Sequence, residues 1–140
     1  MQTINNIQDE IIDEFAFFGD WMEKYEYIID LGKSLPLIDE HYKDEDHLIK
    51  GCQSQVWLHA DDEAGKVSFT ADSDAVITKG IIALLIRVLS GQKAEDIAKA
   101  DLYFIDKIGL KEHLSPTRSN GLVSMVKQMK MYGLALNAKG

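Results

Sequence analysis

A single cysteine, Cys52, is present among 140 residues. That excludes an intramolecular disulfide, a CxxC redox pair and any zinc or iron–sulfur site built from several thiolates of one chain. Basic residues are also in short supply: 15 Lys and Arg against 23 Asp and Glu leave a formal net charge of −8. Phosphate recognition depends on clustered Lys and Arg, so no nucleic-acid partner is expected. A basic or neutral protein surface matches this charge better. Long hydrophobic runs are missing as well. The longest, residues 80–86, falls far short of the roughly 20 residues that cross a bilayer. Residues 1–14 carry acids where a signal peptide needs a basic start and then an apolar run. With a lone thiol that suits a reducing compartment, these absences predict a cytoplasmic protein with no membrane partner.

What is present fits one globular unit. Hydrophobic residues make up 46% and charged residues 27%, ordinary values for a chain long enough to bury a core. Residues 1–140 are therefore expected to form a single domain. Ile4, Ile7, Ile11, Phe15 and Phe18 recur at helical spacing and predict a first helix ending at Gly19. Asp20 and Glu23 make a capping box for a second helix, with Trp21, Tyr25, Ile28 and Ile29 as its buried face. Residues 37–50 are polar and acidic and predict a connecting loop. Its His41 and His47 lack any recognised ligand spacing, which favours solvated loop residues over metal ligands acting with Cys52. No metal is expected.

From residue 53 the period changes to two. Val56 and Leu58, then Val67 and Phe69, predict an antiparallel hairpin turning over residues 61–66. Ile49 is a candidate for a short third strand. The Asp72-Ser73-Asp74 run predicts a cap for a helix that is apolar nearly all round from Val76 to Leu89 and therefore central. Gly80 within it points to close packing, because glycine otherwise costs about 1 kcal/mol of helix propensity. Short helices are expected at residues 94–99 and 103–108. Ser115-Pro116 then matches an N-cap followed by proline at the first helical position of a long last helix. Met125, Met129 and Met131 are expected to fill its core face. The whole is an α+β chain: two N-terminal helices, a small antiparallel sheet of about three strands, then several helices packed on it.

Cys52 stands at the junction of loop and hairpin. A lone cysteine is most often a buried small hydrophobe, but Gln53, Ser54 and Gln55 are polar neighbours that favour a working thiol. Gly51 before it allows a tight or positive-φ turn. A reactive thiol needs positive charge nearby; Lys50 is the nearest basic residue in sequence, and Arg118, at the start of the last helix, is the better candidate. Cys52 with His47 or His113 could also serve as the nucleophile and base of a thiol hydrolase. An inert cysteine in an interaction module remains a third option.

Four blocks carry a resemblance: residues 21–32 (WMEKYEYIIDLG), 51–57 (GCQSQVW), 72–75 with Lys79-Gly80, and 113–122 (HLSPTRSNGL). In this order they resemble the SufE family over essentially the whole chain, with Thr117 and Asn120 where relatives often have Ser and Gln. The resemblance implies a SufE/IscU-like fold. It further implies a carrier that accepts persulfide sulfur on Cys52 from a cysteine desulfurase, stimulates that enzyme, and passes the sulfur to an iron–sulfur cluster scaffold complex. Gly51, Gln53, Ser54 and Arg118 would support the thiol. The implied role is that of a carrier, not of a stand-alone enzyme. No cofactor is implied for this chain, because pyridoxal phosphate belongs to the desulfurase. A homodimer is left open.

Overall fold

Thr3 starts the first helix by accepting a hydrogen bond from the Asn6 N–H through its hydroxyl. Helix α1 (Ile4–Ala16) then buries Ile4, Ile7, Ile11 and Phe15, four of the five expected stripe residues, while Phe18 lies beyond its end and packs half-buried. The computed structural model describes residues 2–139. Met1 and Gly140, the two ends of the expected domain, lie outside the described residues.

The capping box at the next helix forms as the sequence predicts. Asp20 accepts from the Glu23 N–H at 2.9 Å, and Glu23 reaches back to accept from the Gly19 N–H at 3.0 Å. Helix α2 (Trp21–Gly32) buries only Ile28 and Gly32, whereas Trp21, Tyr25 and Ile29 stay half-exposed. The expected face is narrower because α2 meets its neighbour at one tight point. A Cβ on Gly32 would lie 3.0 Å from the Gly80 nitrogen, so the two backbones nearly touch there.

Strands β1 (Val56–Glu63) and β2 (Lys66–Ser73) pair antiparallel from Val56↔Ser73 to Glu63↔Lys66. The two-residue turn between them has positive φ at both Ala64 (55°) and Gly65 (84°). That geometry matches the right-handed twist of a hairpin. The third strand is not at Ile49. It is β3 (Gln92–Lys93), paired with Lys66 and Val67 of β2 to give the order β1-β2-β3. Leu48 makes only an isolated bridge to Trp57. The chain turns away at Gly51 (φ 89°) before a ladder can extend. Residues 37–50 also hold two 3₁₀ turns, Glu40–Tyr42 and Glu45–His47.

Helix α3 (Val76–Leu89) is the central buried helix, as its composition predicts. Its expected cap is different, however. Ala75 occupies the cap position with no side-chain hydrogen bond. Asp74 instead accepts from the Gln55 N–H at 3.0 Å, tying the start of α3 to the segment that follows Cys52. Asp72 is still in the strand, bridged to Lys43 at 2.7 Å and Lys79 at 3.3 Å. Beyond β3 come α4 (Ala94–Lys99), α5 (Phe104–Lys107), an additional short α6 (Leu110–His113) after Gly109, and α7 (Pro116–Lys139). Ser115 caps α7, its hydroxyl accepting from the Arg118 N–H at 3.3 Å. Met125 and Met129 are buried, but Met131 is 51% exposed because it falls on the outer side of α7. One hydrophobic core runs from Ile4 to Met129 and draws on every helix and strands β1 and β2.

An ion-pair network ties α1 to α3. The Arg87 guanidinium donates to both Glu14 oxygens, at 2.8 and 2.5 Å, and the Tyr27 hydroxyl donates to Glu14 at 2.5 Å. The hydrogen bonds from Arg87, more than any other cause, hold the Glu14 carboxyl below its ordinary value. A depressed carboxyl stabilises the fold above its unfolded pKa, near 4.3, and that contribution fades as pH falls through the lower folded value. Thermal melts should therefore fall more steeply below about pH 4.5 for the parent than for Glu14→Gln. Identical slopes would remove this network from the acid response.

Candidate functional site

The site begins with a backbone constraint. Gly51 has φ 89°, and a Cβ placed there would lie 2.6 Å from the Ser124 hydroxyl oxygen. The torsion requires glycine, as its place before the cysteine suggests, whereas the Ser124 hydroxyl could rotate aside. The turn sends the Cys52 side chain inward, half-buried and packed against the core, while Gly51 and Gln53 stay exposed. The thiol donates weakly to the Gly121 carbonyl of α7, with Sγ 3.6 Å from the oxygen. A Cβ on Gly121 would meet Sγ at 3.5 Å, an ordinary van der Waals distance, so the thiol lies directly against the α7 backbone.

Around the thiol lies a cavity of about 270 Å³. Cys52, Gln53 and Ser54 form one wall, Thr78 and Ile81 of α3 a second, and Thr117, Arg118, Gly121 and Met125 of α7 the third. The structure thus brings together the expected Cys52, Gln53, Ser54 and Arg118, with Gly51 turning the chain into the cavity. Arg118 pairs with no carboxylate among the described residues. Its guanidinium donates to the Tyr25 hydroxyl of α2 at 3.5 Å, so α2 helps to place it.

The electrostatics of the resting thiol differ from the expectation that a nearby arginine activates it. Burial pushes the Cys52 thiol above its ordinary value. Desolvation disfavours the thiolate, and the neutral S–H is the form that can donate to the Gly121 carbonyl. At rest, Cys52 is a protonated, sheltered thiol.

No histidine serves it. His47 Nδ1 lies 2.7 Å from Asp44 and its Nε2 lies 3.1 Å from His59 Nδ1. His59 in turn is 2.9 Å from Asp61 and stacks on Tyr42. His113 is bonded to the Gly109 carbonyl at 2.9 Å and stacks on Trp21. The geometry needed for a Cys/His hydrolase is therefore not formed. Among the described residues, no group of three or more His, Cys, Asp or Glu side chains converges as a metal site. No helix of the described chain is long and apolar enough to cross a membrane. A larger cleft of about 630 Å³ lies between the start of α1 and the β3–α4 segment, but it contains no thiol. Chemistry, and not volume, selects the Cys52 cavity.

Thr78, Ile81, Met125 and Tyr25 were not legible as site residues, and Gly121 entered only as part of the block at residues 113–122. A threonine in the first turn of a largely apolar helix, and a glycine inside α7, are the only local hints.

Comparison with known proteins gives the family and the fold. The family model of SufE, described as an Fe-S metabolism associated domain, matches residues 9–133. A SufE-like protein of Rhizobium meliloti (strain 1021) is 44% identical over 127 residues, covering 87% of this chain and 91% of that protein. One from Rhizobium etli is 46% identical over 127 residues, covering 87% and 86%. SufE-like protein 1 of Arabidopsis thaliana, chloroplastic/mitochondrial, is 40% identical over 132 residues; these are 94% of this chain but 36% of the plant protein. Among solved structures, the solution structure of a hypothetical protein from Thermus thermophilus superposes with a TM-score of 0.77 at 21% identity. It covers 92% of this chain and 94% of its own, and it shares the α+β fold.

Proposed function

The chain belongs to the SufE family, the Fe-S metabolism associated domain, and from that premise we propose that Cys52 accepts sulfur from a cysteine desulfurase and hands it to an iron–sulfur cluster scaffold. The observation that carries this reading is the setting of Cys52. It is the only thiol of the chain, held on a glycine-turned loop at the surface and sheltered in a small cavity beside an arginine.

The chemistry is a thiol–persulfide exchange. The Cys52 thiolate attacks the outer sulfur of a persulfide on the desulfurase, a new S–S bond forms, the old one breaks, and the desulfurase cysteine leaves as thiolate. Nothing is oxidised or reduced overall, and the pyridoxal phosphate that released the sulfur stays with the partner. The buried thiol must first lose its proton. Partial packing against the core and a single weak hydrogen bond to Gly121, at 3.6 Å, hold it inward, so the loop can turn Cys52 outward at modest cost when a partner docks. There the desolvation that suppresses the thiolate is relieved. Sheltering at rest protects the sulfur from the oxidation that exposed thiolates and persulfides undergo.

A single cysteine suits ferrying better than assembly, since holding iron on one chain takes several thiolates. The protein is accordingly a carrier and activator, with turnover belonging to the desulfurase. The test is to incubate it with a matched desulfurase and labelled cysteine, then map the labelled sulfur by mass spectrometry. One added sulfur on the peptide bearing Cys52 is expected. A folded sample that gains none would defeat the reading.

A further inference from the structure

The Cys52 cavity offers more hydrogen-bond donors than a resting thiol uses. Thr78 is only 5% exposed, and its hydroxyl makes no hydrogen bond to any described residue. An isolated hydroxyl that deep costs stability unless something meets it. No fully buried side-chain oxygen or nitrogen among the described residues lacks a partner. The Thr78 hydroxyl must then keep a little accessible surface, and Thr78 is one of the residues that line the cavity.

Its surroundings favour an anion. Thr78 stands in the first turn of α3, whose cap Ala75 supplies no side-chain acceptor and whose first turn holds no acid. The acid expected to cap it, Asp74, is turned to Gln55. Ser73 Oγ accepts from the Ala75 N–H at 3.3 Å, and the first N–H groups inside this fourteen-residue helix are left without a side-chain acceptor. Across the cavity stand Thr117 and Arg118, in the first turn of α7. No carboxylate lines the space, although the chain carries a net charge of −8. The resting thiol is neutral and needs only an acceptor, which Gly121 supplies. A persulfide is a stronger acid than a thiol, so its outer sulfur carries charge near neutrality. That sulfur also lies about 2 Å beyond Sγ. It requires donors.

We propose that the Thr78 hydroxyl, at the open N-terminal turn of α3, donates to the outer anionic sulfur of a persulfide on Cys52 and holds the loaded carrier within the cavity. The assignment rests on the sulfur-carrier reading, and its test separates the two. The full chain is loaded by two routes. In one, a desulfurase acts with cysteine. In the other, sulfide attacks Sγ in a mixed disulfide of Cys52, forming the new S–S bond as the old one breaks and the small thiolate departs.

Two quantities are read on each loaded sample: the pH dependence of persulfide capture by a soluble alkylating agent, and the rate of sulfur loss to a soluble thiol. Thr78→Val keeps the branched shape and removes the hydroxyl. It should raise the midpoint of alkylation by about one pH unit and speed sulfur loss about tenfold, the usual worth of a hydrogen bond to a charged group. Thr78→Ser, which keeps the hydroxyl, should retain the parent behaviour. Thermal melts establish that both variants fold. A Thr78→Val protein that behaves as the parent overturns the proposal, as does a Thr78→Ser protein impaired as much as Thr78→Val. If the chemically loaded persulfide depends on Thr78 while the desulfurase loads nothing, the cavity assignment stands and the carrier reading falls. If the desulfurase loads Cys52 but Thr78 changes nothing, the carrier reading stands and the assignment falls.

Discussion

Cys52→Ser should fold as the parent does and take up no sulfur at all. The substitution exchanges one atom in a half-buried side chain whose only hydrogen bond is a weak one to Gly121. A serine hydroxyl can donate to the same carbonyl, so the stability change should stay within about 1 kcal/mol. The chemical change is absolute. An alcohol is hardly ionised at neutral pH, and its oxygen does not take up sulfane sulfur by exchange. No second thiol can substitute, because the chain has no other cysteine. Its methionine thioethers carry no ionisable S–H and are not attacking groups in such an exchange. Loss of loading should therefore be complete, with nothing left to redistribute. Intact-mass analysis after incubation with a desulfurase and cysteine, beside a thermal melt, reads both halves of the expectation. A Ser variant that still gains one sulfur would move the acceptor elsewhere. A parent that gains none would return Cys52 to the role of an inert core residue.

How much of this site could be read from the chain follows from the range of the forces involved. Asp20 with Glu23, and Ser115 with Pro116, are local devices whose partners lie within a turn, and both formed where the sequence placed them. Gly51 belongs with them, since a backbone torsion is a property of its own neighbourhood. The α+β order emerged because the hydrophobic period changes from helical to alternating at residue 53 and back at residue 76. Long-range choices were less legible. Asp74 had two partners within reach, the uncapped N–H groups of α3 and the Gln55 N–H brought up by the hairpin, and tertiary pairing won. The third strand went to Gln92–Lys93 because Leu37 already bridges β2 at Ala71, leaving the Lys66–Val67 end of that edge to a segment the chain reached only after α3. Thr78 could not be identified as part of the cavity, since one hydroxyl in an apolar run reads as a tolerated polar residue. Only the convergence of α3, α7 and the Cys52 loop shows what it faces. Burial of the thiol was half legible, since a lone cysteine tends to be buried. Its polar neighbours in sequence suggested an activated thiol, whereas its neighbours in space desolvate it.

Gly80→Ala is expected to destabilise the protein strongly, against what helix propensity alone dictates. In an exposed helix interior the change would stabilise by about 1 kcal/mol. Here the new Cβ would lie 2.0 Å from the Ile28 carbonyl oxygen and 2.7 Å from its carbon. Those are backbone atoms of α2, so no side chain can rotate out of the way, and the helices must separate. Overpacking of this kind costs about 1–3 kcal/mol, and more where rigid backbone must move. The net loss should be about 3 kcal/mol, a large share of a typical domain's stability. For a chain of this size that corresponds to a thermal midpoint lower by about 10 °C. The strain would also spread to the site, because α2 carries Tyr25, the hydrogen-bond partner of Arg118, and α3 carries Thr78. Alanine at Gly121 is the informative contrast, since its Cβ meets Cys52 Sγ at an ordinary 3.5 Å and should leave the melt near the parent value. Equal melting of the parent and Gly80→Ala would mean that α2 and α3 do not cross in contact. The placement of Arg118 through Tyr25 would then lose its structural basis.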